Sequence, residues 1–293
     1  MKTSMIFFIF FLFVIIGFSQ ENKIQWKRTT DMEENTVSLF HAIQTANLPT
    51  AETLRKNEFE YEISHRFINT VDKKDTYFGI DGPAHIRMAL SYAIMNDLLM
   101  TFGRSNLDDN IDIRLKYKLL KLPGKTFPML VAIQGGTAWN TEVYDPLTAK
   151  KRDKTDSKNF QFYGQGIFNT MIFNKLGIGF VPSYVYNSNI YSNDTKYTLT
   201  FATYLQYYFS AMWSLFAETN SLISGWRNQY NPITLGFQIE TGGHFFKIFF
   251  TNSQSLNPTQ YLTGADLNIT KNDWKIWKGD WRLGFDITRI LKF

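Results

Sequence analysis

Hydrophobic residues recur at every second position over much of this chain. Phe59, Tyr61, Ile63 and Phe67 fall on one face of an extended segment, with Glu58, Glu60, Glu62, Ser64 and Arg66 opposite. The same alternation sets Ile86, Met88, Leu90, Tyr92 and Ile94 against His85, Arg87, Ala89 and Ser91. It also sets Ile111, Ile113, Leu115, Tyr117 and Leu119 against Asp112, Arg114, Lys116 and Lys118. A period of two belongs to strands and not to helices. Followed to the end of the chain, the pattern predicts about twelve strands, an even number as in single-chain bacterial barrels. The last is WRLGFDITRILKF, in which Trp281, Leu283, Phe285, Ile287, Leu291 and Phe293 share a face that fits lipid, with Arg289 and Ile290 as exceptions.

The connections separate a barrel from a soluble sandwich. Links after odd-numbered strands are long and polar (69–82, 104–110, 141–158, 187–195, 219–231 and 253–279), and those after even-numbered strands are short. Outer-membrane barrels sort their loops in this way, with short turns and both termini on the periplasmic side. The expected fold class is therefore all-β, an antiparallel up-and-down transmembrane β-barrel. An aromatic content of 17% beside an ordinary hydrophobic content of 44% suits strands with one apolar face each. The formal charge of +5 includes a basic leader. The charged run at 145–158 is read as a solvated loop, and no nucleic-acid partner is expected.

The N-terminus supplies the compartment. Lys2, an apolar run over residues 5–18 and the small residues Gly17 and Ser19 read as a signal peptide cleaved before Gln20. A retained anchor fits less well, because the run is shorter than the ~20 residues of a spanning helix. The chain has no cysteine, which excludes thiol catalysis and thiolate metal or iron–sulfur sites. The expected organisation is a signal peptide (1–19), an N-terminal periplasmic or plug segment (20–56) and an outer-membrane barrel (57–293). Within the plug segment, 36–46 is predicted as a short helix stopped by Pro49, and TAET (50–53) as a helix cap or turn. This segment either plugs the lumen or docks a partner.

Four stretches carry a resemblance: LPTAETLRKNEFEYEISHRF at 48–67, FGRS at 102–105, ETGGHFFKIFFTNSQ at 240–254 and LGFDITR at 283–289. Together they resemble a Bacteroidota family of outer-membrane β-barrel proteins of unknown function, from about Leu39 to the C-terminus. The resemblance implies fold and location, the cell outer membrane, and brings no catalytic residues. Ile68 stands where that family usually has a small residue, which bears on the local turn alone.

Candidate chemistry is sparse. His41, His65, His85 and His244 show no metal-ligand spacing, so neither metal nor cofactor is expected. A bis-histidine haem site across strands from His65, His85 and His244 is the weaker reading. GQG at 164–166 and GIG at 177–179 lie inside alternating strands, where glycine relieves bends, and no nucleophile elbow exists. The lumen charges are the functional-looking feature: Glu58, Glu60, Glu62, Arg66, His85, Arg87, Arg104, Asp112, Arg114 and Lys116 are the candidates to line or bind a solute. They also fit a closed interior in which they neutralise one another. Parity further directs Tyr204, Tyr208, Phe216 and Phe246 inward.

The expected function is a narrow channel or solute-binding transporter. A non-conducting scaffold for a periplasmic or surface complex is the alternative, and an outer-membrane enzyme comes last. The expected partners are outer-membrane lipid, the barrel assembly machinery reading the terminal Phe293, and a small solute or periplasmic protein.

Overall fold

The computed structural model describes residues 38–124, 127–145, 147–269 and 280–292. The predicted signal peptide, the part of the plug segment before residue 38, and Phe293 lie outside the described residues.

Twelve antiparallel strands close into one barrel. They are β1 (Phe59–Thr70), β2 (Ala84–Met95), β3 (Leu98–Ser105), β4 (Asn110–Leu122), β5 (Met129–Asn140) and β6 (Phe160–Ile172), then β7 (Leu176–Tyr186), β8 (Tyr197–Tyr208), β9 (Trp213–Gly225), β10 (Ile233–Thr241), β11 (His244–Thr251) and β12 (Arg282–Leu291). Each strand pairs with its neighbours in sequence, and β1 meets β12 with Phe59 opposite Leu291 and Arg66 opposite Gly284. The wall therefore has no free edge.

Alternation along each strand sorts the side chains. Met88, Leu90, Phe102, Ile113, Leu115, Leu205 and Ile248 are exposed on the outer face, while Arg87, Asp112, Lys116, Gln206 and Lys247 are buried on the inner face. This is an apolar exterior around a polar interior, the arrangement a barrel needs in lipid. Outward tyrosines cluster near the strand ends. Tyr184 stacks on Tyr197 with ring centroids 6.3 Å apart, towards one rim, while Tyr207 and Trp213 are exposed towards the other. Rings with a polar edge suit the membrane–water boundary.

The links sort by length as expected, with one departure: between β3 and β4 only residues 106–109 intervene, as a single 3-10 turn (Leu107–Asp109). Trp281 also departs from its predicted lipid-facing place. It is 1% exposed and packs with Val71 and Ile269 in a small apolar cluster, because it precedes β12 in the loop layer and not in the wall.

An eight-stranded barrel is just filled by its own side chains, and bore width grows with strand number. Twelve strands leave room, and two pieces of the same chain occupy it.

Candidate functional site

The first piece is a strap formed by residues 38–56. It carries no helix: Gln44 bridges to Pro49, Thr45 N donates to Leu48 O at 2.9 Å and Thr50 N to Ile43 O at 3.0 Å. The result is a narrow loop with Ala46 and Asn47 at its tip. Wall side chains take most of its remaining polar groups, which is why the helix predicted over 36–46 does not form across its described residues. Lys116 Nζ donates to Ile43 O (2.7 Å) and Thr50 O (2.9 Å), and Lys247 Nζ donates to Gln44 O and Thr45 O, both at 2.8 Å. Arg114 reaches Gln44 Oε1 at 3.1 Å, and Arg66 reaches Asn47 Oδ1 at 3.1 Å. In the other direction Gln44 Nε2 donates to Glu62 at 2.7 Å, and Thr45 and Asn47 both donate to Glu218.

The predicted TAET cap has a different role. Glu52 accepts from the backbone N–H groups of Leu39 (2.6 Å) and Phe40 (3.2 Å) and pairs with Lys118 at 3.3 Å, while Thr53 donates to Asn96 O at 2.6 Å. Aromatic contacts complete the seating. Phe40 lies edge-on to Tyr204 at 5.4 Å, His41 packs on Tyr208 at 4.4 Å, and His41 Nδ1 meets Glu240 Oε2 at the short-turn rim.

The wall has its own charge clusters. Arg87 donates to both oxygens of Asp112 (2.9 Å to Oδ1; 3.0 and 3.1 Å to Oδ2) and to Glu62 Oε1 (3.0 Å), all three residues being buried. Gly103 makes the room, since a Cβ there would stand 2.2 Å from Arg87 Nη2. Arg66 pairs with Asp286 at 2.7 Å, and its guanidinium carbon lies 4.4 Å from the Phe249 ring centre.

The second piece enters from the long-loop rim. Residues 252–269 carry the short helix α1 (Pro258–Tyr261), capped by Asn257. Tyr261 joins the buried cluster that also holds Leu48 of the strap. A cavity of about 10 Å³ separates the two pieces, lined by Gln44, Asn47, Arg87, Arg114 and Asn257 among others. That is about the room one water needs.

Asparagines fasten this rim. Asn257 Nδ2 donates to Asn110 Oδ1 at 2.5 Å, Asn110 to Asn140 at 2.7 Å, and Asn140 to Asn159 O and Gln161 Oε1, each at 3.1 Å. Asn187 donates to Lys158 O and Phe160 O, and Asn252 to Asn231 O and Leu267 O. An amide both donates and accepts, so a run of them can satisfy strand-end carbonyls without placing charge there. Sequence reasoning missed this collar, although an inward asparagine stands at the loop-side end of several strands. Beside it Asp108 accepts from Tyr191 Oη, and burial raises the Asp108 carboxyl above its usual range against the lowering effect of that hydroxyl.

The predicted site residues thus divide. Glu60, Glu62, Arg66, Arg87, Asp112, Arg114 and Lys116 are buried on the bore side. His85 is partly buried at the long-loop mouth, its Nε2 3.2 Å from Gln254 Oε1. Glu58 lies at the short-turn rim before β1, near Arg55 N and Lys292. Arg104 is not a bore residue: it shares the outward parity of Met100 and Phe102, and its side chain is 60% exposed beside Asp109. Phe246 likewise faces out, 36% exposed, and its neighbour Phe245 fills the inward place, because β11 begins at His244 directly after the two-glycine turn. Tyr204, Tyr208 and Phe216 point inward. The three histidines of the haem reading are not brought together. His65 faces outward against Phe285, His85 is at the long-loop mouth, and His244 begins β11 at the other rim.

A closed wall, apolar outside and charged within, defines a membrane β-barrel with an internally stoppered bore. The chain belongs to the family described as a membrane bound beta barrel domain (DUF5777), whose model matches residues 40–291. No curated protein matches it in sequence. Among solved structures it is similar to the NanC porin (9% identity, 80% of this chain and 100% of that one, TM-score 0.48). It is also similar to an outer membrane channel from Pseudomonas putida F1 (11%, 82% and 98%, 0.44) and to LpxR from Salmonella typhimurium (9%, 79% and 99%, 0.35). At these identities the likeness is one of fold.

Proposed function

We propose that this protein is an outer-membrane solute channel of a Gram-negative bacterium of the Bacteroidota, held shut at rest by its own strap. In this reading it is exported by residues 1–19, its short turns face the periplasm, and it performs no covalent step. One observation carries the proposal: the bore is filled by loops of the chain, the strap chief among them, held by side-chain hydrogen bonds and aromatic contacts, and not by the wall's own side chains. Such a stopper can leave without unfolding the wall, because the strand ladders do not depend on it.

The test is conductance in planar bilayers. The intact chain is expected to be silent at low voltage. Lys247→Met removes the ammonium that holds Gln44 O and Thr45 O, and this variant is expected to show discrete openings. Silence of this variant, and of a chain cut between strap and β1, would favour a non-conducting scaffold. That second reading draws on the loop 252–269, which fills the far end of the bore.

Export and insertion give a further expectation. Deleting Phe293 should lower the amount of barrel assembled in the membrane far more than it lowers the heat stability of what does assemble. Equal yields from the two chains would remove the insertion-signal role.

A further inference from the structure

The strap's hydrogen bonds show what kind of solute it displaces. Among the described residues six buried bases on the wall face the bore: Arg66, Arg87, Arg114, Lys116, Lys118 and Lys247. Arg282 is set aside, since it is paired with Asp266 at the long-loop rim. Among the same residues five buried acids face this space: Glu60, Glu62, Asp112, Glu218 and Asp286. The strap supplies the sixth acid, Glu52, which pairs with Lys118. With the strap seated the charges balance, and without it the wall is left with one positive charge in excess.

The distribution says more than the sum. Arg87 and Arg66 are matched to wall carboxylates and keep them when the strap leaves. Lys116 and Lys247 differ. Each donates to two backbone carbonyls of the strap, and among the described residues neither has a carboxylate within ion-pair distance. Glu60, with one buried oxygen that lacks a hydrogen-bond partner, supplies a single negative charge against these two ammoniums. A withdrawn strap therefore uncovers at least one unpaired ammonium on a narrow, low-dielectric wall, where an uncompensated charge draws a counter-ion strongly. The strap also offers amide and hydroxyl donors to Glu62 and Glu218. Neutral oxygens and a carboxylate for the bases, with N–H or O–H donors for the acids, is the complement that a hydroxylated carboxylate carries.

We infer that the strap is an internal stand-in for the transported solute, and that the open bore selects small, oxygen-rich carboxylates through Lys116 and Lys247. This rests on the channel reading above. The test keeps the full chain through folding: a specific protease site is inserted between the exposed Arg55 and Lys56, the barrel is folded and purified intact, and the strap is then cut free and washed out. In a potassium chloride gradient the cut barrel is expected to pass chloride over potassium by on the order of tenfold, the low end of the enrichment a charged cleft gives. Gluconate is expected to reduce the current in a concentration-dependent way, while the uncharged polyol sorbitol at equal concentration is not.

Lys116→Gln together with Lys247→Gln, in the same cuttable chain, should keep the steps and lose both the anion preference and the gluconate block. Steps with cation preference, or block by sorbitol as strong as by gluconate, would overturn the solute class and leave the channel standing. A cut barrel that retains its compact gel mobility yet passes no current would overturn both.

Discussion

Arg87→Ala is expected to lower barrel stability by about 3–5 kcal/mol, the range for breaking a buried ion pair from one side. The guanidinium serves Glu62 and Asp112 at once, so its removal strands the Asp112 carboxylate and leaves Glu62 with Gln44, Ser64 and the more distant Arg114, in a bore with about 10 Å³ of free space nearby. One water cannot replace a guanidinium. The measurement is the temperature or urea concentration at which the barrel loses its fast mobility in unboiled detergent gels. Arg87→Lys should recover part of the loss, since an ammonium can meet one carboxylate but lacks the planar fork that meets two. A chain in which Arg87, Glu62 and Asp112 all become leucine or methionine should regain most of the stability, because the penalty lies in the stranded charges. A triple variant as weak as Arg87→Ala would show that the cluster contributes by its fit and not through its charge.

Gly179→Val should loosen the strap through Tyr204. A Cβ at Gly179 would lie 2.0 Å from the Tyr204 ring, so the ring must move. With it goes the hydroxyl that donates to Pro49 O at 3.0 Å and accepts from Asn169 at 2.6 Å, while Asn169 itself holds Ala51 N at 2.7 Å. Overpacking of this kind costs about 1–3 kcal/mol in a packed interior. The expected signature is faster protease cleavage within residues 38–56 of the folded barrel, with the wall intact. Gly164→Val is the matched control, since a Cβ there meets nothing within 4 Å, and it should leave cleavage unchanged. Equal cleavage in both variants would detach the strap from Tyr204.

The wall was legible because lipid outside and polar groups inside impose period two on nearly every strand, from Glu60 and Tyr61 to Asp286 and Ile287. Errors arose where that contrast fades. Arg104 stands at the loop-side end of β3, where an outward charge meets water, so polarity there no longer reports the bore. Phe246 and Phe245 are both phenylalanine, and only the point at which the turn ends decides which of them faces in. That this segment enters the lumen was one of two readings, but its form as a loop was not legible. Its shape depends on donors such as Lys116 and Lys247, far away in sequence, and local propensity over residues 36–46 carries no record of them. The bore charges were found as a set, but their pairing depends on register: Arg87 meets Asp112 across β3, where Gly103 leaves the gap.

The strap also alters how such a wall comes apart. Strands that touch only their sequence neighbours form a quasi-one-dimensional array, in which hairpins can melt one at a time from a weak seam. Here one loop is tied to Glu62 on β1, Lys116 on β4, Asn169 on β6, Tyr204 on β8, Glu218 on β9 and Lys247 on β11. These ties act as spokes, so losing any one hairpin also releases bonds on the opposite side of the ring. Local fraying becomes coupled to global loss, and the barrel gains an all-or-none transition that a ladder of neighbouring hairpins would not supply.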